Sequence, residues 1–132
     1  MASCGVCMTR RRLVTAILDD SGEVVLVGAS ERSDHGRSEM LFALQGDPGF
    51  DSPFVVTESL LAADPLPRLA AARGARVLVA PDALVPAAVQ ISGRASTSPR
   101  TLATLLARMP ASPPFAERLR PLRLQLALPL LV

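Results

Sequence analysis

The sequence predicts an α/β domain in which a three-strand meander is followed by strands and helices in alternation. Three observations point there. Two β-branched-rich runs, LVTAIL at 13–18 and VVLVGA at 24–29, flank the turn-forming residues 19–23, which is a hairpin signal. An apolar strand at 54–57, a helix closed by Gly74 and a second apolar strand at 76–80 form a βαβ unit, which requires a parallel pair and a right-handed crossover. The composition, 49% apolar and 20% charged over 132 residues, suits one packed interior and excludes a wholly disordered chain.

Taken in order, residues 3–8 are a short apolar stretch that turns at 9–11, and they form a first strand beside the hairpin. Residues 30–38 are polar, and a short helix is expected at 39–44, ended near Gly46. Gly46, Asp47, Pro48 and Gly49 then break the chain. After the strand at 54–57, Pro65 starts a helix at 66–73. The strand at 76–80 ends at Pro81, and a loop is expected through Gly93. The clearest helix follows: Ser98 can cap it, Pro99 can start it, and Leu102, Leu105, Leu106 and Met109 share one face. Beyond Pro110, Leu122, Leu124, Leu126 and Leu128 alternate with Arg123, Gln125, Ala127 and Pro129, the pattern of a half-buried strand. The expected organisation is a domain over 1–110 and a Pro/Leu-rich tail over 111–132 carrying a possible added strand.

All fourteen basic residues are Arg. They are unevenly placed, with three in 1–12, five among eleven acids in 13–93, and six beside one Glu in 94–132. Clustered charge of that kind attracts phosphate or an acidic partner. The alternative is solvated Arg with no partner. Four Phe and no Trp or Tyr exclude a platform that stacks single-stranded bases on aromatic rings. Two cysteines do not make an extracellular disulfide scaffold, and no segment reaches the roughly 18 apolar residues of a membrane span. A soluble, cytoplasmic protein is the expectation.

The element order is that of an RNase H-like fold, and local wording resembles the amino-terminal RuvC-like domain of DEDD-type, bridge-RNA-guided insertion-sequence transposases. Gly5, Val6 and Cys7, the turn at 9–12, LVTAILDDSGEVV over 13–25, FVVTES ending in Glu58 and Ser59, and STSPRTLATLLA over 96–107 carry that resemblance. It implies a catalytic acid at each of four positions. Here Cys7 stands at the first, Glu58 at the second, and the two late acids fall at or near Pro99 and Leu102. Two-metal phosphodiester chemistry needs several carboxylates to hold Mg²⁺ or Mn²⁺. The resemblance therefore implies a noncatalytic or vestigial domain, with weak DNA or RNA contact through Arg10, Arg11, Arg12, Arg94, Arg100 and Arg108. Two other readings are a homodimerising module using the C-terminal strand and, further off, a metal-dependent nuclease.

Glu58 and Asp82 each follow a parallel strand, so both are expected at one carboxyl edge of the sheet with Cys7, where ligands gather. They are candidate metal or polar-ligand residues, or else caps of the following helices. Cys4 and Cys7 form a Cys-x-x-Cys pair lying in a strand. That setting disfavours thioredoxin-type chemistry, and a second ligand pair for zinc is missing. His35 beside Asp34 could act as a general base, though a solvated loop histidine is the simpler reading.

Overall fold

The computed structural model describes residues 2–46, 51–93 and 98–123. Strand β1 (Ser3–Met8) pairs antiparallel with β2 (Arg12–Leu18), and β2 pairs antiparallel with β3 (Val24–Glu31). The meander is therefore as expected, with β3 two residues longer than its apolar run. Its hairpin turn is closed by Asp19, whose Oδ1 accepts from the Ser21 N–H at 2.9 Å, the Glu23 N–H at 3.0 Å and the Ser21 hydroxyl at 2.6 Å. Gly22 supplies the left-handed residue at φ 86°.

Helix α1 (Asp34–Leu44) begins five residues ahead of the expected short helix. Ser33 caps it, its hydroxyl accepting from the Gly36 N–H at 3.1 Å. A good cap nucleates the helix through a stretch too polar to show periodicity. Strand β4 (Phe54–Thr57) is followed by α2 (Glu58–Ala63) and α3 (Leu66–Ala72), then by β5 (Val77–Ala80), α4 (Leu84–Ser92) and α5 (Pro99–Arg108). Two of these correct the sequence reading. Residues 58–63 are helical because Thr57 caps them, accepting from the Leu60 N–H at 3.2 Å. The loop expected before Gly93 is α4, since Pro86 lies in its first turn, where a missing N–H breaks no hydrogen bond.

The strand order is β3-β2-β1-β4-β5-β6, with β1, β4 and β5 mutually parallel and the short β6 (Arg120–Pro121) antiparallel to β5. This is an α/β fold on a six-strand mixed sheet. Side-chain alternation divides the core between the two faces of the sheet. On one face Cys4, Val6, Leu13, Ile17, Phe54, Val56, Val77 and Val79 pack with Met40, Leu41 and Leu44 of α1, Leu60 of α2, and Leu66 and Ala70 of α3. On the other, Val55, Leu78 and Ala80 meet Leu84 and Ala88 of α4 and Leu105, Leu106 and Met109, while Val14 and Ala16 meet Ala103 of α5.

Helix α5 crosses β1 at Gly5. A Cβ there would overlap the Ala103 carbonyl oxygen and the Ala107 backbone nitrogen, so glycine is required by the close approach. The Ser3 hydroxyl donates to the Ala107 carbonyl and anchors the same crossing. The buried face of α5 is accordingly Ala103, Leu105, Leu106, Ala107 and Met109, whereas Leu102, expected to face the sheet, is only half-buried.

After α5, a 3-10 turn (Met109–Ala111) and α6 (Pro113–Ala116) lead into β6. Phe115 and Leu119 pack on the α4/α5 side, and the Leu122 N–H donates to the Val77 carbonyl at 2.9 Å. Within the described residues the added strand is thus Arg120–Pro121, and the tail docks on β5. Leu124, Leu126 and Leu128 lie outside the described residues.

Gly5→Ala should lower stability by about 1–3 kcal/mol through overpacking against backbone. Gly28→Ala on β3, where a Cβ meets open space, should change it by less than about 0.5 kcal/mol. Urea unfolding of the pair, read at constant m-value, checks both.

Candidate functional site

The parallel strands β1, β4 and β5 direct their carboxyl ends to one side of the molecule, and a cleft of about 370 Å³ opens there between α4 and α5. Its walls include Cys7 and Met8 of β1, Thr57 and Ser59 at the end of β4, Asp82 after β5, Val85 and Pro86 of α4, and Leu102 and Leu106 of α5. Cys7, Asp82 and Leu102 therefore do meet.

Glu58 is beside them but turned elsewhere. Its Oε1 accepts from the Asp82 N–H at 3.0 Å, and its side chain lines a neighbouring cleft of about 410 Å³ with Arg68, Arg120 and Pro121. Asp82 answers across the same gap, its Oδ1 accepting from the Ser59 N–H at 3.1 Å and its Oδ2 from the Ser59 hydroxyl at 2.7 Å. Asp82 thus caps the entrance of α2 from across the gap, Glu58 holds the loop that leads into α4, and together they tie the end of β4 to the end of β5. Among the described residues no group of three or more His, Cys, Asp or Glu side chains is arranged to hold a metal ion.

Cys4 and Cys7 are both free and belong to opposite faces of β1, as residues three apart on a strand must. They cannot act as a dithiol pair. Burial raises the Cys4 thiol far above its ordinary range, and burial also raises that of Cys7, which is half-buried at the cleft. His35, expected in a loop with Asp34, stands exposed on the first turn of α1 and pairs with Glu39, while Asp34 pairs with Arg37 at 3.3 Å. The proposed Asp34–His35 couple does not form.

Arg10, Arg11 and Arg12 are exposed on and beside the turn that follows β1, at the same end as the cleft. Arg100 and Arg108 line a separate shallow depression of about 220 Å³ against Val24 and Val27 of β3. Arg94 lies outside the described residues. The basic candidates are therefore two groups, one at the cleft end and one along the outer flank of α5.

The most connected polar cluster was not anticipated. Asp64, at the α2–α3 junction, has a fully buried side chain. Its carboxylate accepts from Arg32 Nε at 3.1 Å, Arg37 Nε at 2.9 Å, Arg37 Nη2 at 3.1 Å and the Leu66 N–H at 2.9 Å. Arg32 also donates to the carbonyls of Thr9 (3.1 Å), Arg10 (3.3 Å) and Ala63 (3.2 Å). The turn bearing Arg10 and Arg11 is thereby fastened to α1 and α2. Burial pushes the Asp64 carboxyl upward, but hydrogen bonds from Arg37, Leu66 and Arg32 outweigh it and hold the group below the usual carboxylate range. The only sequence hint was an acid directly before Pro65 and a helix.

No family model and no curated protein matches this chain. The reading of the site therefore rests on its geometry. Among the described residues no helix is long and apolar enough to cross a membrane.

Because the folded Asp64 has the lower pKa, its contribution to stability is complete above the unfolded carboxylate value, about 4, and is lost as pH falls through the folded value. Asp64→Asn should cost roughly 3 kcal/mol at neutral pH and flatten the acid limb of a stability profile measured by denaturant titration from pH 7 to 2. For the thiols, alkylation followed by mass spectrometry should modify Cys7 slowly and Cys4 only on unfolding; equal rates would contradict the burial order.

Proposed function

We propose that this chain is a noncatalytic RNase H-like domain, related to the RuvC-like domain of bridge-RNA-guided transposases, that serves for contact with nucleic acid. The observation that carries this reading is the cleft at the carboxyl ends of β1, β4 and β5, whose walls hold a thiol and a leucine, Cys7 and Leu102, along with Asp82. The strand order β3-β2-β1-β4-β5 with α5 laid across β1 supports the fold. In the resemblance, position 7 belongs to the first catalytic acid, position 58 to the second, and position 102 to one of the last two.

A two-metal phosphodiester reaction needs carboxylates converging on a pair of divalent cations. Here the two nearest acids hold backbone N–H groups and a serine hydroxyl instead. The noncatalytic reading calls for no cofactor, and Mg²⁺ or Mn²⁺ would enter only if Glu58 and Asp82 acted as a nuclease pair.

Contact with nucleic acid falls to the arginines. Guanidinium groups pair with phosphate in a two-pronged geometry, and phosphate contacts fix position without reading sequence. Arg10, Arg11 and Arg12 are presented at the cleft end by the hydrogen bonds of Arg32, and Arg100 and Arg108 form the second set.

Binding to duplex DNA or RNA should be weak and sequence-independent. The slope of log affinity against log salt should be about −0.9 per phosphate engaged, and Arg10→Ala with Arg11→Ala should reduce it by about two. Absence of binding at low salt removes the contact reading. Cleavage with Mg²⁺ or Mn²⁺ that Glu58→Gln abolishes overturns the noncatalytic one.

A further inference from the structure

The two edges of the sheet are finished differently. At one end β6 is two residues long and includes Pro121, which has no N–H to offer a further strand. At the other, β3 runs for eight residues without proline, and among the described residues no strand lies beyond it. Its first three side chains are apolar and open to solvent: Val24 is 42% exposed, Val25 59% and Leu26 52%. A bulge interrupts the ladder at Val25, between the pairs Leu18↔Val24 and Ile17↔Leu26, and Glu31 closes the strand, so the regular unpaired stretch is residues 26–30; an unpaired stretch of that kind is a template for another strand.

The charges at the two ends of this edge specify what fits it. Beside the start of β3 is the hairpin with Asp19, Asp20 and Glu23. Beside its end is the turn with Arg10 and Arg11, and Arg12 stands opposite Glu31 in the ladder. Asp19 and Asp20 are engaged locally, Asp20 accepting from the Ala2 N–H at 3.0 Å, and both carboxylates lie at that end. Arg32 is committed to Asp64. Arg100 and Arg108 belong to α5, which is set back over β1 and β2, and they approach the edge only through the depression against Val24 and Val27.

We infer that β3 is a homodimerisation edge, on which a second copy of this chain adds its own β3 in antiparallel orientation. Rotation about a two-fold axis sets the acidic hairpin of each copy against the basic turn of the other, twice in one interface. Parallel pairing would set like against like. In the antiparallel register the exposed Val24, Val25 and Leu26 of each copy lie beside the far end of the other copy's β3, and the two six-strand sheets become continuous. Nucleic acid would compete for Arg10 and Arg11, so the two uses of that turn are separable only in its absence.

The test is sedimentation of the full chain, free of nucleic acid, over a range of protein and salt concentrations. The wild type should dimerise and dissociate as salt rises. Ala29→Pro, which takes an outward N–H from the edge, the pair Arg10→Glu with Arg11→Glu, and the pair Asp20→Arg with Glu23→Arg should each weaken dimerisation at least about tenfold. All three should keep the far-ultraviolet circular dichroism of the fold. Mixing the two charge-reversed proteins should restore a one-to-one dimer, a result that a merely destabilised fold would not give. A wild type that stays monomeric overturns the inference. A dimer that survives all three changes overturns it as well, and points to an interface elsewhere, such as the β6 side. Failure of the mixed pair to associate removes the antiparallel orientation.

Discussion

A carboxylate without solvent-exposed surface persists in ionised form only if donors surround it, and Asp64 sets that condition for one whole end of the molecule. Arg32 reaches it from the end of β3, Arg37 from α1, and the backbone of Leu66 from α3. Arg32 then spends its remaining donors on carbonyls of the β1–β2 turn and of α2. Such a buried pair adds little net stability compared with apolar packing of the same volume. Its effect is placement: the β1–β2 turn, the β3–α1 junction and the α2–α3 junction, distant in sequence, converge where these donors are satisfied.

That arrangement lies on one face of the sheet, and the cleft lies on the other. The strand ends between them carry the rest of the polar economy. Glu58 and Asp82 exchange hydrogen bonds across the ends of β4 and β5, so the polar groups at the mouth of the cleft are occupied with one another and with Ser59, while most of its lining, Cys7 and Leu102 included, is apolar or weakly polar. The arginines of the β1–β2 turn border this end of the molecule. The same basic border, where it meets the end of β3, also belongs to the edge at which a second copy fits.

How much of this was legible follows from the range of the interactions concerned. Strands β1, β2, β4 and β5 could be read because a strand buried on both faces is a run of apolar residues, and α5 because Ser98 and Pro99 announce it locally. Helix α2 is too short to display a period, and Pro86 disguised α4 as loop. The convergence of Cys7 with Asp82 was legible through the rule that parallel strands share a carboxyl edge, but the direction in which Glu58 turns was not, since it depends on one N–H of another loop. The Asp64 cluster was invisible for a plainer reason. Its ion pairs join residues 32 and 27 positions apart, and no local pattern encodes them.

The contact at Gly5 bears on how the cleft can respond to whatever enters it. Where β1 passes beneath α5, backbone meets backbone with no side chain between them, and Ser3 ties the helix down one turn further on. A layer of side chains can repack and act as a bearing, whereas atoms of two main chains in direct contact allow neither sliding nor rolling. The α5 wall of the cleft is therefore seated directly on the sheet. Anything that enters the cleft thus meets one wall set by the main chain itself.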